Sequence, residues 1–224
     1  MSAMQQMLLG TKTGGSAAVT LLGSTFTTGV GSKTVTATPA VNDLIVVFIA
    51  YTNAPIVSVD DNQSGVYTLV QSAVKGAGID GINVYVRNDL VGSAVSTIYT
   101  LTTDATDTGG GLVVLKVTGM TVAGSAAIRQ SAVQSNQAGG GTPTTTLASA
   151  ALAGNALLGA ILNAANPATM TPRSGWTEQV DLGYITPTAG IEVMTINSGE
   201  TATAIAWGST SASAFCDLVI ELAV

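Results

Sequence analysis

VNDLIVVFIA (41–50) and AGNALLGAIL (153–162) decide the fold, because they are two versions of one segment. Each leads from a turn pair, Asn42-Asp43 or Gly154-Asn155, into a short apolar run. The match extends outward. VDDNQSGVYTLV (59–70) is answered by MTPRSGWTEQV (170–180), with Gly65 against Gly175 and Tyr67 near Trp176. GINVYVRNDLVG (81–92) is answered by GIEVMTINSGE (190–200), and LVVLKV (112–117) by DLVIEL (217–222). Lys116 and Glu221 fall at one place inside otherwise apolar strands. A unit of about 80 residues used twice is too long and too few for a solenoid. It reads as two halves of one sandwich, neither able to bury its apolar faces alone. The expected fold is an all-β, jelly-roll-like antiparallel β-sandwich of two pseudo-repeated halves, 33–118 and 144–222. A single domain, 16–224, would follow an N-terminal segment, 1–15.

Composition supports that class. The 224 residues are 46% hydrophobic and only 9% charged, against about 25% charged in an average domain. The mean hydropathy of +0.47 raises the question of a membrane protein. The longest strongly apolar run is LIVVFIA (44–50), well short of the roughly 18 residues a bilayer span needs. The start carries no basic region of the kind a secretory signal has, so the chain reads as soluble with a weakly charged surface. Such a surface suits a subunit covered by its own copies or by a larger assembly. An extracellular sandwich solvated by Ser and Thr hydroxyls is the other reading. A net charge of −6, with seven basic residues scattered along the chain, argues against nucleic acid. The lone Cys216 excludes an internal disulfide and shares a period-2 face with Leu218, Ile220 and Leu222, a buried apolar position.

Strand-like segments separated by turn signals are expected at 18–27, 33–38, 43–51, 56–60, 66–74, 82–87, 95–102 and 111–118. The second half offers 127–135, 144–149, 155–163, 176–182, 190–196, 201–207 and 214–222. Ile82, Val84 and Val86 face one way, and Asn83, Tyr85 and Arg87 the other. The run 44–50 is apolar on both faces, which marks a central or covered strand. Val113, Leu115 and Val117 form a core face, with Lys116 turned to solvent or to a partner. Gly65 and Gly175 are the expected positive-φ positions of two matched turns.

The N-terminus differs from the rest. Met1, Met4, Met7 and Leu8 recur at helical spacing before Gly10, and their adaptable side chains suit insertion into a groove on a partner. A frayed end is the plain alternative.

The chain has no histidine, which removes the commonest general base and metal ligand together. No catalytic, cofactor or metal site is therefore expected. GVGSKT (29–34) lacks the Gly-Lys and following helix of a phosphate loop and reads as strand or turn. Asp60-Asp61 with Asn62 and Ser64, joined by Asp104 or Asp107, offers oxygen ligands for Ca²⁺; an Asx-rich turn is the plainer reading. Trp176 and Trp207 read as core. Tyr51, Tyr85 and Tyr184 are the remaining candidates for a sugar-stacking platform.

The order of these elements resembles a family of β-sandwich modules found in virion proteins of tailed bacteriophages and in some bacterial surface proteins. It is carried by the DLIVVFIA strand (43–50), SGWTEQV (174–180), the GIEV strand (190–193) and the closing LVVLKVTGM (112–120). MSAMQQMLLG (1–10) is similar to the start of phage head and tail structural proteins. The resemblance implies a non-enzymatic virion component without cofactor, foremost a capsid decoration or cement protein. It would act as a homo-oligomer such as a trimer, with other capsid or tail proteins as partners and with neither nucleic acid nor membrane. A tail-associated or fibre-tip protein is the near alternative, a carbohydrate-binding module a further one, and an esterase or glycosidase the most distant.

Overall fold

The computed structural model describes residues 16–53, 56–75, 80–103, 108–164, 170–184 and 188–224. Within them lie fifteen strands and one short 3-10 turn, Gly124–Ala127. The first half holds β1 (Ala18–Thr28), β2 (Lys33–Ala37), β3 (Leu44–Thr52), β4 (Ile56–Asp61), β5 (Tyr67–Lys75), β6 (Asp80–Arg87), β7 (Thr97–Thr103) and β8 (Gly109–Thr118). The second holds β9 (Ile128–Asn136), β10 (Thr144–Thr146), β11 (Leu157–Asn163), β12 (Thr177–Tyr184), β13 (Ala189–Ile196), β14 (Ala204–Ala206) and β15 (Phe215–Leu222). Every segment expected to be a strand contains one, although 144–149 and 201–207 hold only the three residues of β10 and of β14. The N-terminal segment 1–15, with Met1, Met4, Met7 and Leu8, lies outside the described residues.

Each half is a jelly-roll-like sandwich of two antiparallel sheets. The first pairs a five-stranded sheet, β1-β8-β3-β6-β5, with a three-stranded sheet, β2-β7-β4. The second repeats the large sheet strand for strand as β9-β15-β11-β13-β12. Its small sheet is reduced to β10-β14. All pairings are antiparallel, and the registers agree: Ile45 lies opposite Lys116 where Leu157 lies opposite Glu221. The internal duplication is thus a duplication of topology.

The halves stack through their large sheets, giving four layers and three cores. In β3 the even residues Leu44, Val46 and Phe48 enter the central core, with Leu158, Leu162 and Leu218 from the other half. The odd residues Ile45, Val47 and Ile49 pack outward with Tyr99 and Leu101 of the small sheet. Leu157, Ile161, Trp176, Trp207 and Phe215 form the matching outer core of the second half. Side chains alternate along a strand, so β3, covered on both faces, is apolar at every position from Leu44 to Ala50. That double cover explains the unbroken LIVVFIA run and much of the low charge content. Each fully buried large apolar side chain stabilises the fold by about 1.5–3 kcal/mol.

The stacking is reciprocal, as in a two-fold dimer made within one chain. Strand β5 runs along β9, and its counterpart β12 runs along β1. Side chains tie both seams. The Val19 amide donates to Asn197 Oδ1 (2.9 Å), and the Ser135 hydroxyl donates to the Val74 carbonyl (2.5 Å).

Candidate functional site

The duplicated fold places two equivalent corners at the end where the β6–β7 and β13–β14 connections cross the turns entering β5 and β12. In the first corner Asp61 organises the turn. Its Oδ1 accepts the amides of Gln63 and Gly65 (both 2.8 Å), and its Oδ2 accepts the Tyr67 hydroxyl (2.8 Å). Arg87, at the end of β6, pairs with Asp89 at 3.0 Å. In the second corner the same roles fall to other residues. Glu200 Oε2 accepts Arg173 Nε (2.8 Å) and the Trp176 indole N–H (3.1 Å). Its Oε1 accepts the Thr201 and Ala202 amides (3.0 and 2.9 Å).

Tyr67 and Trp176 hold equivalent positions at the entry to β5 and β12, and each donates to a carboxylate in its corner. An aromatic donor, a carboxylate and a neighbouring arginine recur, although the acid and the arginine come from different segments. Burial, and next the bond to Asp61, push the Tyr67 hydroxyl well above its ordinary range. Burial pushes Glu200 up, but its bonds to Ala202, Trp176 and Arg173 outweigh burial and hold it below the usual value. Between turn and connection lies a cleft in each half. The first is about 210 Å³ and includes Gln63, Arg87, Asp89 and Ser93 in its lining. The second is about 490 Å³ and includes Arg173, Ser174, Glu200 and Trp207.

The Asp60/Asp61 turn is an Asx-type turn. Both Asp61 oxygens are committed to the turn and to Tyr67, while Asp60 accepts the Ser58 hydroxyl (2.7 Å). Asp104 and Asp107 lie outside the described residues. Among the described residues no three His, Cys, Asp or Glu side chains are grouped so as to hold a metal ion. Positive φ falls on Ser64 (59°) and Gly175 (85°), which corrects the expectation for Gly65. Gly65 is required for a different reason: a Cβ there would strike the Asp61 carboxylate and come within 2.8 Å of Arg87 Nε. GVGSKT comprises the β1–β2 connection, 29–32, and the first two residues of β2, and the connection is closed by Lys33, whose ammonium donates to the Gly29 and Gly31 carbonyls (2.5 and 3.2 Å). Trp176, Trp207 and Tyr51 are buried and Tyr85 is half-buried; the Tyr184 ring lies outside the described atoms.

The lone acids of the apolar strands divide into two kinds. Glu221 is buried and fully engaged, accepting from Arg129, Gln130 (2.5 Å), the Leu152 amide (2.9 Å) and Asn155 (2.7 Å). Burial alone would raise it, but those bonds hold it below the usual carboxylate value. At the equivalent place Lys116 meets Asp43 at 3.7 Å, so Lys–Asp in one half stands where Glu–Asn stands in the other. Lys116 is therefore turned to an internal partner. Asp217 and Glu192 are buried with fewer partners. Thr145 donates to Asp217 Oδ2 (2.6 Å), and burial pushes this carboxyl up to about 6. Neither oxygen of Glu192 has a hydrogen-bond partner. Sequence reasoning passed over Glu192, Asp217 and Glu200. The available signal for Glu192 and Asp217 was an acid inside an otherwise apolar strand, as in GIEVM or AFCDLVIEL, whereas Glu200 lies in the β13–β14 connection.

The described residues contain no helix long and apolar enough to cross a membrane. Comparisons with family models, with curated proteins and with solved structures find no match for this chain.

Proposed function

We propose that this chain is a non-catalytic structural protein of a bacteriophage virion, acting as a capsid decoration protein. The observation that carries the reading is the construction: two jelly-roll-like sandwiches fused face to face into a four-layer block. Jelly rolls are a common architecture of viral coat proteins and of lectins. Carboxylates with the potential for chemistry serve here as internal braces: Asp61 closes a turn, and Glu200 and Glu221 tie connections to strands. Burial of Trp176 and Trp207 removes two aromatic platforms that a carbohydrate-binding module would use. The stacked sheets supply an internal cause for the low charge, so oligomerisation, as a trimer or otherwise, rests on the virion reading and not on composition.

Antibodies raised against the purified chain, used in immunogold microscopy of particles from cultures carrying its gene, test the assignment. Labelling spread over the capsid supports decoration, labelling at the tail moves the role there, and unlabelled particles overturn the reading. A version lacking residues 1–10 should stay folded and fail to join the particle if that segment is the anchor.

A further inference from the structure

The outer face of the second half contains a feature that no brace explains. Glu192, in the middle of β13, is fully buried, and neither carboxylate oxygen meets a donor. Its cross-strand neighbour on β12 is another acid, Asp181, and Glu178 lies on the same face of β12, opposite Met194. On the other side β11 places Ile161 opposite Glu192 and carries no ionisable side chain. One strand further, Asp217 of β15 lies opposite Ile161. Strands β10 and β14 above this face carry no ionisable side chain, and Arg173 is bound to Glu200. Segments 165–169 and 185–187 contain no ionisable residue. Among the described residues, the outer-face acids Glu178, Asp181, Glu192 and Asp217 form no ion pair, because the arginines on that side, Arg129 and Arg173, are bound to Glu221 and Glu200.

An isolated buried carboxylate is costly, so the group takes up a proton instead. The first half has an uncharged solution at the same place: Asn83, opposite Ser72. Strand β12 is the edge of its sheet. It bonds to β13 alone, carries a bulge between Glu178 and Val180, and rests on β1. Releasing this one strand is the smallest motion that exposes Glu192 to water.

We propose that β12 is a proton-dependent latch: it stays zipped to β13 and docked on β1 while Glu192 is a neutral acid, and it opens when that proton passes to water. Burial, then Glu178 and Asp181, push the Glu192 carboxyl up to about 9. The closed state therefore binds the proton more tightly than the open state. Opening is suppressed below the ordinary carboxylate value and grows as pH rises toward that of the closed state, by about tenfold per pH unit for one proton. The latch makes one seam between the halves sensitive to alkaline conditions and leaves the β5–β9 seam insensitive.

Hydrogen exchange on the full chain between pH 6.5 and 8.5, corrected for intrinsic rates, tests this with β5 as the internal control. The expected result is a loss of β12 protection of about 100-fold over that range, with β5 unchanged and Glu192→Gln flat in both strands. An equal slope in Glu192→Gln, or equal loss in β5 and β12, overturns the latch. A carboxyl-carbon NMR titration of the unmodified protein gives an answer that does not depend on the variant folding. A Glu192 midpoint above pH 7.5 supports the proposal, and a lower midpoint overturns it.

Discussion

The two halves share a strand order and differ in how each handles polar groups inside it. The first half places neutral or paired residues in its large sheet: Asn83 opposite Ser72, Leu112 where the other has Asp217, and Lys116 beside Asp43. The second half carries acids at the matching places: Glu192, Asp217 and Glu221. One topology therefore accepts opposite electrostatics, because the backbone ladders and the central core fix it. The polar positions then diverge wherever a local partner is found. Glu221 found four donors, Asp217 found Thr145, and Glu192 found none.

The hardest test of this comparison is whether the halves are one cooperative unit. Phe48→Ala empties a buried site in the shared core and should cost about 3–5 kcal/mol in denaturant unfolding. Hydrogen exchange should show β11 losing protection together with β3. If only the first half loosens, the central core does not couple the halves.

The equivalent braces should be unequal. Glu221→Ala leaves Arg129 and three other donors without their acceptor and should cost about 3 kcal/mol. Lys116→Ala removes a longer, partly solvated contact, while Asp43 keeps its bond from the Ala40 amide (2.8 Å), so about 1 kcal/mol is expected. Equal losses in thermal unfolding would erase the distinction between the two charge arrangements.

Asp217 gives the second half a pH dependence of its own. Its folded value, about 6, lies above the ordinary 3.8. Its stabilising contribution is therefore complete below the ordinary value and is lost as pH rises through the folded one. Asp217→Asn should remove roughly 3 kcal/mol of difference between stabilities at pH 3.5 and pH 7. An unchanged pH profile in the variant would show that Asp217 is not the source.

The matched glycines should fail for different reasons and by smaller amounts. Gly65→Ala drives a Cβ into Asp61 and Arg87 and should cost about 2 kcal/mol. Gly175→Ala meets open space but the wrong φ and should cost about 1 kcal/mol. Asparagine, which tolerates left-handed backbone, should restore stability at 175 and not at 65. Recovery at both positions would mean that the two turns are the same after all.

Much of the fold was legible along the chain. Strand alternation, turn pairs and the repeated order of motifs are local signals, so all fifteen strands and the two halves could be read. The burial of Trp176, Trp207 and Cys216 was legible for the same reason. The site was less so. That Ser64 takes the positive φ beside Gly65 depends on Asp61 drawing two amides into the turn. The acids were visible as letters but not as buried groups, since period-2 alternation marks a face without saying what covers it.

The all-β class, the strands and the duplication follow from the order of residues alone, because backbone propensity and side-chain alternation act over a few residues. It took the folded chain to show that the large sheets of both halves stack on each other, that Arg173 of the turn before β12 meets Glu200 of the β13–β14 connection, and that Glu192 is sealed beside Asp181 without a donor. Those outcomes depend on contacts between residues distant in the chain, where packing and desolvation, not local pattern, set the energy.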